Sequence, residues 1–223
     1  MTLDVRREQM LDAGIALFAR RSWEEISIED IAAACGVSRG LLYHYFAGKR
    51  GYYIATIEHA VERLHAVEPD PALGPTKQLK QGLERYFESI EQQPDTHAAL
   101  RRVAPADEDV AAILRRDREA FVERVLAGIP GAGNDSPLAH AAARAWIGAV
   151  DAAGLHWIEH PDIPPQQLIA ILAEALAAAM LAAARIDPSI ALSPAVAEIA
   201  SEGIVQRIAA EGPDEATPDR PPH

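Results

Sequence analysis

Residues 28–46 read Ile28-Glu29-Asp30-Ile31-Ala32-Ala33-Ala34-Cys35-Gly36-Val37-Ser38-Arg39-Gly40-Leu41-Leu42-Tyr43-His44-Tyr45-Phe46. The spacing is that of two short helices joined by a sharp turn. Ser27 followed three residues later by Asp30 has the form of a capping box, which opens a helix ending near Ala34. Ile28, Ile31 and Ala32 give that helix an inner face, and Ala33 with its small neighbours is expected to let the next helix pack close. Gly36 supplies a position where left-handed backbone costs little, and Val37 fills the gap between the helices. Ser38 caps a third helix over about 38–44. Leu42 and Phe46, four apart, form its buried stripe. Arg39, Gly40, Leu41, Tyr43, His44 and Tyr45 remain on the outer face.

On the N-terminal side, Met10, Leu11, Ile15, Leu17 and Phe18 recur at helical spacing and predict a first helix over roughly 4–20. Phe46-Ala47-Gly48 ends the third helix, and a long fourth one follows over 49–67. Pro69, Pro71, Gly74 and Pro75 form the first strong breaker cluster and mark a domain boundary. Beyond it, helices are expected at 76–93, 96–104, 107–128, 138–160, 165–186 and 194–210, separated by prolines and by the Gly128–Pro137 loop. The tail 212–223, with four prolines and four charged residues, reads as disordered. Apolar residues make up 49% of the 223, aromatics only 5%, and alanine, the best helix former, is abundant. The fold class is therefore all-α: an N-terminal three-helix helix-turn-helix domain (1–48), a connecting helix (49–67), a C-terminal helical bundle (68–211), to which the resemblance named below assigns ligand binding and dimerisation, and the tail.

Composition narrows the function classes. The single cysteine, Cys35, excludes an internal disulfide and a cysteine-based zinc site; it reads as a small buried hydrophobe, with a redox switch as the sharper alternative. No secretory signal opens the chain, and the longest apolar run, Ala175–Ala184, is half of the roughly 20 residues a membrane span needs. A cytoplasmic protein without a membrane partner is expected. The net charge is −12, but residues 1–66 carry eight Lys/Arg against nine Asp/Glu, and the rest of the chain thirteen against twenty-four. A nearly neutral head on an acidic body can still bind DNA through locally placed cations. His156 and His160 share a helix face, but two ligands do not make a metal site. Asp107, Glu108 and Asp109 read as acids favoured at a helix N-terminus. No catalytic constellation or phosphate-cradling loop is present, so neither an enzyme nor a cofactor is expected.

A helix such as 38–44 fits the major groove with its N-terminal residues on base edges. Arg39 suits a bidentate bond to guanine and Leu41 a thymine methyl. Ser38, Tyr43, Tyr45 and Lys49 carry donors for phosphates, which fix register. Residues 6–54 resemble the N-terminal domain of the tetracycline-repressor (TetR) family. The matching pieces are Met10-Leu11-Asp12-Ala13-Gly14-Ile15-Ala16-Leu17-Phe18, Ser27-Ile28-Glu29-Asp30-Ile31-Ala32, Gly36 to Phe46, and Lys49. The resemblance implies a homodimer on a near-palindromic, double-stranded DNA operator, released when a small-molecule effector occupies the C-terminal helices. It places base readers at Arg39, Gly40, Leu41 and His44, and phosphate contacts at Ser27, Tyr43, Tyr45 and Lys49. The chain departs from the family after the first helix, where Arg21-Ser22-Trp23 supplies the aromatic without the usual glycine. The rival readings are a structural helical hairpin with a solvated Arg39, an enzyme or metal-binding helical protein in which the hairpin is incidental, and an adaptor that uses the same fold to bind protein instead of DNA.

In the body, 138–160 is rich in small residues (Ala142, Ala143, Ala145, Gly148, Ala149, Ala152, Ala153, Gly154). The helix 165–186 presents Ile169, Leu172, Leu176, Met180 and Ala183 at three- and four-residue steps. Two such helices from each subunit suit a four-helix dimer bundle; packing within one subunit is the alternative. A ligand pocket is expected among Tyr86, Phe87, Ile90, Leu100, Val103, Leu114, Phe121, Trp146, Val150 and Trp157, for each of which plain core packing competes.

Overall fold

The described residues form two long and two short helices at the N-terminal end, packed on one another, followed by four long helices. The computed structural model describes residues 3–64, 70, 72–94, 96–97, 107–133, 135–194 and 196. Its elements are α1 (Leu3–Arg20), a single 3-10 turn (Trp23–Glu25), α2 (Ile28–Ala34), α3 (Arg39–Tyr45), α4 (Gly48–Leu64), α5 (Pro75–Gln92), α6 (Glu108–Ala127), α7 (Pro137–Glu159) and α8 (Pro165–Ile186). No strand occurs among the described residues. The expected helices at 96–104 and 194–210, the 212–223 tail and the end of the 49–67 helix lie wholly or mostly outside them.

Local chemistry accounts for the helix starts. Ser27 and Asp30 form a reciprocal capping box, Ser38 Oγ accepts from the Leu41 amide, and Asp107 and Ser136 cap α6 and α7. Pro75, Pro137 and Pro165 occupy first-turn positions, where the missing N–H costs nothing.

Three apolar clusters hold the fold. Met10, Leu11, Ile26, Ile31, Leu42, Phe46 and Tyr52 form the core of the first four helices. Ile15, Tyr53, Ile57, Ala60 and Val61 continue into Val110 and Ile113 of α6, so α4 belongs to both halves. The largest cluster joins α5 to α8 and includes Phe87, Trp146, Leu172 and Met180. Gly14 marks the close crossing of α1 and α4: a Cβ there would lie 2.5 Å from the Tyr52 hydroxyl and 2.7 Å from Thr56 Oγ1.

Four expectations are corrected. Ala33 is exposed, so the close approach of α2 and α3 rests on Ala32 and Val37 instead. Cys35 is half-buried, not fully buried; its thiol lies 3.3 Å from the Tyr52 hydroxyl, and burial pushes it up, away from the reactive thiolate. Ile169, Leu172, Leu176, Met180 and Ala183 are all buried in the subunit's own core, because that stripe is what α8 turns toward α7 and α5. Finally, the Ala175–Ala184 run understates α8, which by length and composition is apolar enough to cross a membrane. Its inward stripe packs in the core of the bundle, while Ile171 and Ile186 on the same helix are exposed.

Candidate nucleic-acid interface and the cavity behind it

Leu42, 1% exposed, and Phe46 anchor α3 from below, which turns its other side outward. Gly36, at φ +62°, makes the preceding turn, and the Val37 amide closes it on the Ala32 carbonyl at 3.0 Å. Ser38, Arg39, Gly40, Leu41, Tyr43 and His44 are exposed together, and Tyr45 is half-buried against the His44 ring. Tyr43 is 56% exposed, unusual for so large a ring without a partner surface. Arg39 pairs with Glu29 of α2 at 2.6 Å. Both side chains are largely solvated, so the pair costs little to open.

Lys49 and Arg7 lie over aromatic faces. Lys49 Nζ sits 4.2 Å from the centre of the Trp23 ring, which stacks on Tyr53 at 4.4 Å. Trp23 thus orders the start of α4 without a preceding glycine. Arg7, a cation that sequence reasoning did not single out, lies 5.5 Å over Phe46 at the end of α3. Ser27, a phosphate contact by the resemblance, is engaged within the chain. Its hydroxyl and its amide both donate to the Asp30 carboxylate, so neither donor is free for a phosphate unless that carboxylate yields.

Two polar clasps link α4 to its neighbours. Arg50 bonds Asp107 at 2.5 and 2.8 Å and Asp109 at 2.5 Å, joining the start of α4 to the N-cap of α6. The Arg50 guanidinium holds the Asp107 carboxyl down at about 2. Near the other end of α4, Asp12 of α1 receives Arg63 and, at 3.0 Å, His59.

Behind this head lies a cavity of about 520 Å³ walled by α5–α8 and by Val61 and Arg63 of α4. That volume falls within the range of small-molecule sites. Of the residues proposed from sequence, Tyr86, Leu114, Phe121, Trp146 and Val150 line it. Phe87, Ile90 and Trp157 do not: Phe87 and Trp157 pack edge to face at 5.4 Å, and Ile90 closes on Gly154, whose absent side chain admits it. Leu100 and Val103 lie outside the described residues. The indole N–H of Trp146 is spent on the Leu172 carbonyl at 2.6 Å, so that ring offers the cavity a face and no donor. Sequence reasoning missed the charged lining, including the Arg118–Asp151 pair at 3.0 Å and Arg85. These charges sit on helix faces that look solvent-directed in the linear pattern.

The two histidines stack at 4.1 Å, and His160 Nδ1 lies 3.0 Å from the His156 carbonyl. A second donor group, Glu119, Glu123 and His140, joins α6 to α7 with ligand atoms within 4.8 Å of one another. Arg144 already pairs with Glu119, so the group reads as an ion-pair network between the two helices.

Residues 10–56 match the model of bacterial regulatory proteins of the tetR family. Residues 75–179 match that of the tetracyclin repressor-like C-terminal domain. The chain belongs to the TetR family. A tetR-family transcriptional regulator from Streptomyces coelicolor superposes with a TM-score of 0.68 at 29% identity, covering 96% of this chain and 93% of that one. The TetR fold extends to a transcriptional regulator from Pseudomonas aeruginosa PAO1, at TM-score 0.69, 20% identity, and 83% and 95% coverage. By sequence, the chain is 31% identical over 101 residues to the HTH-type transcriptional regulator EthR of Mycolicibacterium smegmatis, covering 43% of this chain. It spans under half the length of the curated relatives it matches here, 46% of EthR and 34% of YerO from Bacillus subtilis.

Proposed function

We propose that this TetR-family chain is a DNA-binding transcriptional regulator, a repressor, that binds a near-palindromic operator as a homodimer and leaves it when a small molecule fills the α5–α8 cavity. The observation that carries this reading is the outward face of α3. Arg39, Leu41, Tyr43 and His44 are presented to solvent together by a helix whose opposite side is fully anchored. Arg39 is the base reader, freed from Glu29 on contact, and Lys49 and Tyr43 hold phosphates.

A second copy of this chain completes the site. α7 exposes Ala145, Gly148, Ala149 and Ala152 in one stripe, with Leu155 beside them, and α8 exposes Ile171 and Ile186. Small residues let two helix pairs approach closely. The symmetric pairing sets two α3 helices about 34–36 Å apart, one DNA turn. The effector acts by binding the two spacings unequally.

Selection of bound sequences from random duplex DNA tests the reading, followed by titrations of the selected duplex at several salt concentrations. Arg39→Ala should relax specificity at one base position. Lys49→Ala should weaken binding to all sequences and reduce the salt slope by about 1. Wild-type behaviour of both variants across the salt series would refute this assignment of the reading face.

A further inference from the structure

The cavity wall has a charge pattern opposite to that of the body around it. From residue 67 onward carboxylates outnumber Lys and Arg by twenty-four to thirteen, yet the cavity is lined by four arginines against three carboxylates. Two of the four guanidiniums are committed. Arg118 is paired with Asp151, and Arg124 lies 5.3 Å over the Phe121 ring. Arg85 is half-buried and makes no ion pair among the described residues. Arg63 has a partner, but on the far side: it bonds Asp12 of α1 while lining both the cavity and the adjoining groove beside α1. Gln92 also lines both openings, and Arg85 lies two helical turns before it on α5. The rest of the wall is mainly aliphatic and aromatic.

We infer that the effector is an anionic amphiphile, an apolar body with a carboxylate or phosphate head, and that its head takes Arg63 from Asp12 with Arg85 as the second cation. This deepens the reading of the cavity as the effector site and rests on it. A half-buried guanidinium with no counter-ion among the described residues, beside an apolar cavity, favours a ligand that brings the anion with it. The Arg63–Asp12 bond is solvated on both sides, 49% and 47% exposed, so exchanging one carboxylate for another costs little. Among the described cavity-lining residues, Arg63 is also the one bonded to α1. Occupancy therefore removes a contact between α1 and α4 directly, without a displacement relayed through the bundle.

The test uses the full chain and three probes of equal chain length, decanoate, decanol and decylamine, titrated by calorimetry. Decanoate should bind about tenfold more tightly than decanol, with decylamine weakest. Arg63→Gln should weaken decanoate about tenfold and leave decanol unchanged, and Arg85→Gln should act in the same direction with a smaller factor. Asp12→Asn, which removes the competing carboxylate, should tighten decanoate by about threefold or more. Equal binding of decanoate and decanol overturns the charge assignment while leaving the cavity reading standing. No binding of any probe overturns both. An unchanged decanoate affinity in Asp12→Asn overturns the exchange of Arg63 even if the charge preference is found. Thermal melts of each variant without ligand identify any that fail to fold, and Arg85→Gln, remote from Asp12, then carries the charge test alone.

Discussion

Asp107 does two jobs that substitution separates. Its Oδ1 caps α6, accepting from the amides of Asp109 at 3.1 Å and Val110 at 3.2 Å, and its carboxylate pairs with Arg50. Asn caps as well as Asp, so Asp107→Asn removes the charge and keeps the cap, while Asp107→Ala removes both. The native carboxyl is held at about 2 against an ordinary 3.8, chiefly by the bonds from Arg50. Taken at face value that depression amounts to roughly 2 kcal/mol at neutral pH. The Arg50 side chain is 42% exposed, and solvent screening brings the figure to about 1 kcal/mol. Asp107→Asn should therefore cost about 1 kcal/mol, and Asp107→Ala about 2 once roughly 1 for the cap is added.

The pH dependence follows from the direction of the shift. A depressed carboxyl stabilises the fold fully above its unfolded value, and that stability is lost as pH falls through the native one. The loss occupies the window from about 4 down to about 2, and Asp107→Asn lacks it. Urea unfolding at pH 7 and at points below 5 measures both effects. A double-mutant cycle with Arg50→Met should give a coupling of about 1 kcal/mol at pH 7. Equal destabilisation by Asn and Ala, or a coupling below about 0.3 kcal/mol, would refute the division of labour.

Gly14→Ala forces a methyl against Tyr52 and Thr56 at under 3 Å and disturbs the 2.6 Å bond from the Tyr52 hydroxyl to the Met10 carbonyl. Overpacking and the strained bond outweigh the roughly 1 kcal/mol gained in helix propensity, and urea titration should show a net loss of about 2 kcal/mol. Gly148→Glu should leave the subunit fold intact, since nothing lies within 4 Å of a Cβ there, and still convert a dimer to a monomer by sedimentation equilibrium. A variant that stays dimeric would move the interface elsewhere.

What was legible in the sequence was local. The α2–α3 turn declared itself because each of its devices acts within four residues: the Ser27–Asp30 box, the Gly36 turn, the Ser38 cap and the Leu42/Phe46 stripe. The partners of charged groups were not legible. Arg50 meets Asp107 from 57 positions away, and nothing in the pattern around either residue names the other. The cavity divided along the same line. Tyr86 and Phe87 are adjacent, and the roughly 100° between neighbours on a helix sends one to the cavity and the other to the core. Hydrophobic spacing said only that each aromatic was inward. Likewise the Ile169–Ala183 stripe announced a buried face of α8 without saying whose helix would cover it.

The two clasps on α4 bear on how, under the proposed function, a ligand in the cavity would reach α3. Between Arg50 and Arg63 the helix buries Tyr53, Ile57 and Val61 against α1 and against Val110 and Ile113 of α6. Burying such side chains contributes about 1.5–3 kcal/mol each, more than the roughly 1 kcal/mol of a partly solvated ion pair. A ligand that displaced α6 would therefore carry α4 with it before it peeled the two apart. The crossing at Gly14 leaves no slack between α4 and α1, and Phe46 at the end of α3 packs edge to face on Tyr52 at 5.0 Å. Displacement of α4 would thus reach α3 both through the shared Leu42, Phe46 and Tyr52 core and through the two-residue link that ends in the Gly48 amide bond to the Phe46 carbonyl. On the proposed function, any motion of the bundle would pass through the apolar middle of α4, while exchange of the Arg63–Asp12 pair at its end would act on α1 directly.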